Sequence, residues 1–266
     1  MITTILNIKG GCSKTLTAEM LARGYAKEGR KTLVVDADGQ GDITSSLMPN
    51  INFDQPENIV GGETPPEKGT IVDYLKGNKK IEDCIWKTDV ENLDLIPSSM
   101  DLFTVIYELQ QGRGGADFLL ANALKNLGYD EIVIDNNPSI NKMTYNSIYA
   151  ADVIICPTNI SEKTLKGVMN TRGVCVQALD ALPFSKPLNF KIVLTMMTRN
   201  NNCKEGAKQL RAAFGKDVFD TQIRFQQKPV QDAEFSKKSL LDMKAGVAED
   251  YRNLTKEVIQ KDEVHA

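Results

Sequence analysis

Histidine is almost absent from this sequence: its single copy, His265, lies one residue from the C-terminal end. A lone histidine at that position excludes catalysis by histidine. The five cysteines are odd in number and widely separated, and no two of them form a C-x-x-C pair. This spacing argues against a disulfide framework and against a zinc site, and it indicates reduced thiols in a cytoplasm.

Long hydrophobic runs and a strong net charge are also lacking. No apolar run approaches the length of a membrane span, and the N-terminus is a predicted strand that leads into a loop, not a signal peptide. Charged residues at 25% and hydrophobic residues at 41% are ordinary for a globular protein, and the net charge of −3 does not indicate a nucleic-acid binder. We therefore expect a cytoplasmic protein that does not use a membrane.

The charge is nevertheless distributed unevenly along the chain. Between Arg199 and Lys256 there are 12 Lys or Arg residues against 8 Asp or Glu, so this segment carries +4 and the remainder −7. A mildly basic C-terminal part on an acidic body is a weak indication of a face that binds a polyanion. On charge alone, a solvated helical surface explains the pattern equally well.

What the sequence does contain is a strand that runs into a glycine turn. An apolar run over residues 2–8 is followed by KGGCSKT at residues 9–15 and then by a helical pattern. A glycine turn between a strand and a helix is the setting of a phosphate-binding loop, whose N–H groups surround the anion. Lys14 would reach the β- and γ-phosphates, and the Thr15 hydroxyl would bind Mg²⁺. The alternative is a glycine-rich turn that binds nothing.

Two further predicted strands end in aspartates. The strand Lys31–Asp36 is followed by Asp38, and the strand Glu131–Asp135 ends in its own carboxylate. Such positions lie where ligands bind in an open α/β sheet, although aspartate also favours ordinary turns. Because it follows a phosphate loop, Asp135 fits the place of a Walker B carboxylate that holds Mg²⁺ or its water.

The remaining sequence alternates predicted strands with predicted helices. Further strands are expected at Asn92–Pro97, Asp152–Pro157, Phe190–Met196 and Val218–Ile223. Helices are expected at 15–28, Met100–Gln110, Ala116–Leu127, Ser161–Leu179, 202–213 and Lys244–Gln260. Short helical stretches are expected at Ile71–Leu75 and Ile81–Trp86. Residues 49–70 read as a surface loop and 112–115 as a turn. Helices of crossover length predict an α/β fold with a doubly wound, mainly parallel sheet. With no repeat and no second core, we expect one domain over residues 1–266.

In this order and spacing, the motifs resemble the ParA/Soj-type partition ATPases over nearly the whole chain. The loop at 9–15 is similar to the deviant Walker A sequence K-G-G-x-G-K-[ST], in which Lys9 is a second lysine. Residues 35–42 resemble V-D-x-D-P-Q-G-N, and residues 129–139 resemble Y-D-x-I-x-I-D-x-P-P-S. L-D-L-I-P-S at 93–98 and V-F-x-T-x-I at 218–223 also fit. The resemblance implies a P-loop NTPase fold of the deviant Walker A class, with ATP and Mg²⁺ as cofactors.

The resemblance also implies roles for individual residues. The ATP-binding residues would be Lys9, Gly10, Gly11, Cys12, Ser13, Lys14, Thr15 and Leu16. Three of the implied roles are catalytic: Lys14 would neutralise charge, Lys9 would reach the phosphates held by the partner protomer, and Asp38 would orient or activate the attacking water. The metal-binding residues would be Thr15, Asp36 and Asp135.

A reaction cycle follows from the same resemblance. Two protomers would bind ATP face to face, and this dimer would bind DNA of the nucleoid without sequence preference. A ParB-like centromere-binding protein would stimulate hydrolysis and release it. The candidate DNA-binding residues lie in the basic part, residues 199–260: Arg199, Lys204, Lys228, Lys237, Lys238, Lys244 and Arg252. For any one of them, an exposed side chain without a role is the simpler interpretation. With no room for a helix-turn-helix before Ile2, we expect the small plasmid or mobile-element type.

Several positions depart from the family pattern, and they are concentrated around the nucleotide site. Ser13 replaces a glycine and Leu16 replaces a hydroxyl residue. Gly39 and Asn137 each replace a proline, and residues 223–226 cover the family's I-P-R-N only loosely, which leaves the adenine contacts open. A serine before Lys14 would crowd the loop or force a strained backbone, because glycine tolerates positive φ and serine does not. We therefore expect weak ATP binding or low turnover.

Three other functions remain open at this stage. A MinD-like membrane-positioning ATPase would need a basic amphipathic C-terminal helix, whereas KEVIQKDEVHA at 256–266 is mixed in charge and poor in large apolar residues. A metabolic enzyme on this scaffold, such as an iron–sulfur reductase or an ATP-dependent ligase, is the second; the dispersed cysteines argue against a cluster that bridges a dimer. The third is a nucleotide-binding switch with weak turnover, which the departures in the loop favour.

Overall fold

One sheet of eight strands organises the computed structural model, which describes residues 1–54, 68–111, 117–184 and 186–263. The strands are β1 (Ile2–Ile5), β2 (Thr32–Ala37), β3 (Trp86–Lys87), β4 (Leu93–Ile96), β5 (Glu131–Asn136), β6 (Val153–Asn159), β7 (Phe190–Met197) and β8 (Val218–Arg224). They lie side by side in the order β3-β4-β2-β5-β1-β6-β7-β8, and every pair is parallel except β3 with β4. The expected doubly wound, mainly parallel sheet is confirmed.

Helices connect the strands and cover both faces of the sheet. They are α1 (Lys14–Lys27), α2 (Asp42–Leu47), α3 (Ile71–Lys76), α4 (Asp101–Gln110), α5 (Leu119–Leu124), α6 (Lys142–Ala150), α7 (Thr164–Asp180), α8 (Asn201–Phe214), α9 (Gln227–Ser236) and α10 (Gly246–Glu263). Short 3₁₀ turns occupy Ile81–Cys84, Gly215–Asp217 and Leu240–Asp242. Within the described ranges, no helix combines the length and the apolar character that crossing a bilayer requires.

Alternation of side chains along the strands explains why both faces are apolar. In β2, Val34 packs with α1 and α10, whereas Leu33 and Val35 pack with α3 to α6 on the opposite face. In β6, Ile155 joins the first of these clusters, and Ile154 joins a third formed with α7 and α8. Strands buried on both faces read as continuous apolar runs, which is why their positions could be predicted.

Some predicted boundaries and elements were wrong. The first strand ends at Ile5 and not at residue 8, because the chain turns into the phosphate loop there. The stretch Ile81–Trp86 is a 3₁₀ turn followed by the edge strand β3, and the helix expected over 116–127 is only Leu119–Leu124 within the described residues. The turn at 112–115 and residues 55–67 of the expected surface loop lie outside the described residues.

Three helices were missed: α2, α6 and α9. Helix α2 has only six residues, and α9 carries a proline and buries a single residue, Ala233, so neither presents an apolar stripe. Helix α6 did carry a signal, since the side chain of Asn141 accepts hydrogen bonds from the N–H groups of Met143 and Thr144 and so caps its N-terminus. Short helices that depend on tertiary contacts escape periodicity.

The strand register gathers the functional motifs at one edge of the sheet. Asp36 of β2 is paired with Asp135 of β5, and Asp135 is also paired with Ile5 of β1. Because these strands are parallel, their C-terminal ends meet at the same edge, where the loop of residues 9–15 emerges from β1. The fold thus brings together three motifs that are far apart in sequence.

Helices α1 and α10 are in close contact where Gly24 faces Thr255. A Cβ atom at Gly24 would lie 2.3 Å from Thr255 Oγ1 and 2.8 Å from its Cγ2. Contacts this short do not occur in folded proteins, so the glycine permits the close approach of the two helices. In α7, by contrast, a Cβ at Gly173 would meet nothing within 4 Å.

We predict that Gly24→Ala lowers the free energy of unfolding by about 1–3 kcal/mol through overpacking, although alanine favours a helix by roughly 1 kcal/mol over glycine. Adding Thr255→Ala should recover part of this loss, since it removes the clashing atoms. The matched control, Gly173→Ala, should be neutral or slightly stabilising. Urea denaturation measures all four proteins, and equal effects of the two glycine substitutions would contradict the close contact.

Candidate functional site

The loop between β1 and α1 turns through two residues with positive φ. Gly11 has φ 69°, and Ser13 has φ 63° and ψ 37°, which is the left-handed region. Glycine adopts this conformation without cost, whereas a residue with a Cβ pays about 1–2 kcal/mol. Ser13 also makes no side-chain hydrogen bond that caps α1. The strained backbone expected for a serine at this position is therefore present.

Both lysines of the loop are held by hydrogen bonds within the protomer. Lys9 Nζ donates to Asn159 Oδ1 and to Ser161 Oγ, each at 3.0 Å. The buried Lys14 folds back across the loop, with its Nζ 3.5 Å from the carbonyl oxygen of Lys9. One ammonium group thus lies inside the loop, and the other lies at the C-terminal end of β6.

The neighbouring strands fix the loop from outside. Asn159 Nδ2 donates to the carbonyl oxygen of Gly11 over 3.4 Å, and Thr195 Oγ1 donates to that of Cys12 over 3.1 Å. Sequence reasoning missed Asn159, Ser161 and Thr195. For Asn159 a signal was available in principle, because a polar residue at the C-terminal end of β6, the strand next to β1, lies beside the loop that follows β1.

The two strand-end carboxylates, Asp36 and Asp135, are buried opposite each other. Asp36 Oδ2 accepts from the Thr44 hydroxyl over 2.6 Å and from the Thr44 N–H over 3.2 Å, and its Oδ1 accepts from the Asp38 N–H over 3.0 Å. Burial raises the pKa of Asp36 from 3.8 to about 7, against these hydrogen bonds. Burial, and then the charge of Asp36, raise the pKa of Asp135 well above its usual range.

The residues present fit a magnesium ion bound together with a nucleotide. Asp135 Oδ1 is buried and has no hydrogen-bond partner among the described residues, which leaves an oxygen free for a cation or its water. Thr15 interacts with the same carboxylate. In the described part of the chain no three His, Cys, Asp or Glu side chains cluster as a metal site, as suits an ion that takes most of its ligands from phosphates and water. Asp36, with three hydrogen bonds, is better placed to support this site than to bind the ion directly.

Asp38 lies half-buried just beyond these carboxylates. Its Oδ1 accepts a hydrogen bond from the N–H of Gln40 over 3.0 Å, a turn interaction that leaves the other oxygen available. Burial raises the pKa of Asp38 and makes its carboxylate a better proton acceptor, while the charge of Lys14 opposes the shift. Gly39, which follows, is buried beneath the ring of Phe103.

The segment expected near the adenine is largely engaged with α10. Arg224 forms a two-pronged ion pair with Asp250 at 2.7 and 2.6 Å, and Gln226 Oε1 accepts from the N–H of Val247 over 2.8 Å. Phe225 between them is exposed. Leu16 is partly buried against the hydrophobic core beside α1. Arg224 and Gln226 therefore stabilise the C-terminal helix.

The candidate DNA-binding residues differ in their surroundings. Six of them are exposed and form no ion pair with any residue in the described ranges: Arg199, Lys204, Lys228, Lys237, Lys238 and Lys244. Arg252 is half-buried, pairs with Glu249 at 2.8 Å and donates to the carbonyl oxygen of Leu241 over 2.7 Å, which is a structural role. Lys237 and Lys238 line a cavity of about 480 Å³ together with Thr15 and Leu16, so they adjoin the phosphate loop.

The chain is similar to known partition proteins in sequence and to nucleotide-binding proteins in fold. A protein-family model described as an AAA domain matches residues 1–178. The chromosome partitioning protein ParA of Caulobacter vibrioides is 31% identical over 98% of this chain and 94% of its own length. A plasmid partition protein of Borrelia burgdorferi bound to AMPPNP is 26% identical, with a TM-score of 0.79 over 98% of both chains. Cobyrinic acid a,c-diamide synthase of Mycobacterium smegmatis, with an ATP analogue and magnesium bound, shares the fold at 21% identity and a TM-score of 0.78, over 100% of this chain and 96% of that chain.

We predict that Ser13→Gly stabilises the protein by about 1 kcal/mol and increases ATP affinity or turnover, because glycine relieves the left-handed backbone. Ser13→Ala is the matched control, since it keeps the Cβ and removes only the hydroxyl; it should behave like the parent. Thermal unfolding and steady-state ATP hydrolysis measure the two effects. Unchanged stability and kinetics in Ser13→Gly would mean that the loop already accommodates serine.

A second prediction concerns the buried carboxylate pair in the nucleotide-free protein. A carboxyl whose pKa is raised in the folded state adds stability that is present below about pH 4 and is lost as the pH rises through about 7, by roughly 1.4 kcal/mol per pKa unit. Asp135→Asn removes one charge of the pair, so in EDTA its stability relative to the parent should be greater at pH 8 than at pH 5. It should also lose stabilisation by magnesium and ATP.

Urea denaturation at the two pH values checks this, with the exposed acid Asp232→Asn as the control. A stability difference that is the same at pH 5 and pH 8 would show that the two carboxylates are not ionised against each other.

Proposed function

This chain belongs to the ParA/Soj family of partition ATPases, and on that premise we propose that it segregates DNA by binding it as an ATP-bound dimer and releasing it on hydrolysis. It is an ATPase with ATP and Mg²⁺ as cofactors. The observation that carries the proposal is the position of Lys9, Lys14 and Asp38 around one phosphate loop. A loop that only bound nucleotide would need neither a second lysine nor a carboxylate beyond the metal site.

Hydrolysis needs little more than positioning and neutralised charge, since phosphoryl transfer requires no covalent step with the protein. Lys14 and the loop N–H groups compensate the charge of the phosphates, and Mg²⁺ adds further positive charge when it is bound. Thr15 and Asp135 would hold this ion. Asp38 would accept a hydrogen bond from the attacking water, and its raised pKa suits that task.

Lys9 supports the dimer part of the proposal. In the protomer its ammonium group is bonded to two neutral oxygens, those of Asn159 and Ser161, at 3.0 Å each. Hydrogen bonds from an ammonium group to phosphate oxygens are stronger than bonds to neutral acceptors. ATP held by a second protomer would therefore draw Lys9 away from Asn159 and Ser161, so dimerisation would depend on the nucleotide.

Exposed cations support non-specific DNA binding. The six exposed Lys and Arg side chains can neutralise backbone phosphates without reading bases. Two of them, Lys237 and Lys238, share a cavity with the phosphate loop, so the DNA face and the nucleotide site are neighbours. We further propose that the chain is a single domain, because one sheet includes strands from the phosphate-loop half and from the basic half. A ParB-like centromere-binding protein would stimulate hydrolysis.

The left-handed conformation of Ser13 favours a second candidate: a nucleotide-binding switch with weak turnover. Strain at Ser13 lowers the stability of the loop conformation that surrounds the phosphates, so nucleotide binding or hydrolysis would be weaker than with glycine at this position. The two functions share the fold and the ATP site and differ in the rate of hydrolysis. A MinD-like membrane role would be supported only by strong ATP-dependent pelleting with anionic liposomes.

We predict that Asp38→Ala retains ATP binding but accumulates as a DNA-bound dimer, because it lacks the carboxylate that holds the water. DNA binding of this variant and of the parent, with and without ATP, should be measured at 50 and 200 mM salt. Binding should require ATP and should weaken roughly 40-fold over this range if three phosphates are neutralised. Lys9→Ala should bind ATP but fail to dimerise.

These measurements distinguish the partition ATPase from the nucleotide-binding switch. DNA binding that is absent or independent of ATP would contradict the partition cycle, and loss of ATP binding in Asp38→Ala would make Asp38 a structural residue. Normal ATP-dependent DNA binding with hydrolysis near background in the parent would favour the switch.

A further inference from the structure

We propose that Phe103 is a positioning residue for Asp38, because its ring packs on Gly39 and holds the loop that carries the carboxylate. This inference rests on the role proposed for Asp38 in hydrolysis. It assigns a function to an aromatic side chain that the sequence patterns do not single out.

The contact between Gly39 and the ring is very close. A Cβ atom built on Gly39 would lie 2.7 Å from Cε2, 2.8 Å from Cδ2 and 2.9 Å from Cζ of Phe103. Any side chain at position 39 is therefore incompatible with the observed place of the ring. Gly39 is buried although it lies in a loop, whereas the ring that covers it is itself 41% exposed. The Phe103 ring thus covers the backbone next to Asp38 and shields it from solvent.

The ring is held in place by the rest of α4. Leu102 and Ile106 on the same helix are buried in the hydrophobic core. The start of the helix is tied to the end of β2, since the Ser98 N–H donates to Thr44 Oγ1 over 3.1 Å and this hydroxyl donates to Asp36 Oδ2 over 2.6 Å. The ring and the strand end that leads to Asp38 therefore belong to one connected framework.

The hydrogen bonds of the loop fix both of its ends, since the Asp38 N–H donates to Asp36 Oδ1 over 3.0 Å and the Ser45 N–H donates to the carbonyl oxygen of Gly41 over 2.8 Å. The bonds within the loop are local: the Gln40 N–H donates to Asp38 Oδ1 over 3.0 Å, and the Gly41 N–H donates to the Asp38 carbonyl oxygen over 3.1 Å. Glycine at position 39 adds conformational freedom, where the proline of the family pattern would fix φ. We infer that packing by Phe103 replaces the restraint that a proline would provide.

The test is a double-mutant cycle on basal ATP hydrolysis. Phe103→Ala should lower kcat about 3- to 10-fold and leave KM for ATP within about twofold, because the loop loses its position but the phosphate loop is untouched. Gly39→Ala should also lower kcat, since its Cβ displaces the ring. In Gly39→Ala/Phe103→Ala the clash is gone and the methyl group partly fills the space. The kcat of this double variant, relative to the parent, should therefore exceed the product of the relative kcat values of the two single variants. Phe103→Leu should retain most of the activity.

Tyr107→Ala is the matched control, because this aromatic residue lies one turn further along α4 and is 64% exposed. It should leave kcat unchanged. An unchanged kcat in Phe103→Ala, additive effects in the double variant, or equal losses in kcat for Phe103→Ala and Tyr107→Ala would each overturn the proposal. Thermal unfolding of every variant identifies loss of folding. If Phe103→Ala does not fold, kcat is compared between Phe103→Leu and Gly39→Ala. The proposal then requires that Phe103→Leu retains most of the parental kcat and that Gly39→Ala has a lower kcat, and equal kcat values would overturn it.

Asp38→Ala, measured in parallel, separates this inference from its premise. If that variant hydrolyses ATP at the parental rate, the proposed role of Asp38 fails. If it is inactive while Phe103→Ala is fully active, only the role of Phe103 fails.

Discussion

Two carboxylates buried against each other are the constraint on which the rest of the site depends. Asp36 and Asp135 are paired across parallel strands, and burial disfavours the charge of each. Three hydrogen bonds stabilise Asp36, but Asp135 keeps a buried oxygen without a partner in the described part of the chain. The nearby positive charge of Lys14 opposes this cost for Asp135. A cation bound with the nucleotide would remove most of what remains, so the free energy of nucleotide binding also stabilises the sheet edge.

The sequence predicted those features that arise from local pattern. Buried parallel strands are continuous apolar runs, and a glycine turn between strand and helix is visible in seven residues, so the sheet and the phosphate loop could be predicted. Contacts between distant segments could not. The bonds from Lys9 to Asn159 and the packing of Phe103 on Gly39 join residues more than 60 positions apart, and no periodicity records them. Helix α9 was missed for a related reason, since a single buried residue produces no apolar stripe.

The departures from the family pattern have different physical consequences and should not be treated as one defect. Ser13 carries a local backbone cost that glycine would remove. Gly39 is matched by an aromatic ring in the space that a side chain would occupy. Leu16 exchanges a hydroxyl for core packing beside α1. Ser13 therefore lowers the stability of the phosphate loop, whereas the freedom of Gly39 is compensated by the packing of Phe103. Leu16 replaces a polar contact with hydrophobic burial.

Helix α2 lies between the nucleotide site and the basic surface, since it bonds to Asp36 and lines two cavities together with Lys237. Thr44 binds Asp36 through both its hydroxyl and its N–H, so a shift of the Asp36 carboxylate must move the first turn of this helix. Ser45, the next residue, lines the same cavities as Lys237. Lys237 ends α9 in a left-handed conformation, at φ 53°, and the Lys238 N–H donates to the carbonyl oxygen of Ala233 over 3.1 Å, as is common where a helix ends. A rearrangement of α2 on nucleotide binding would therefore change the cavities that this helix shares with the basic surface.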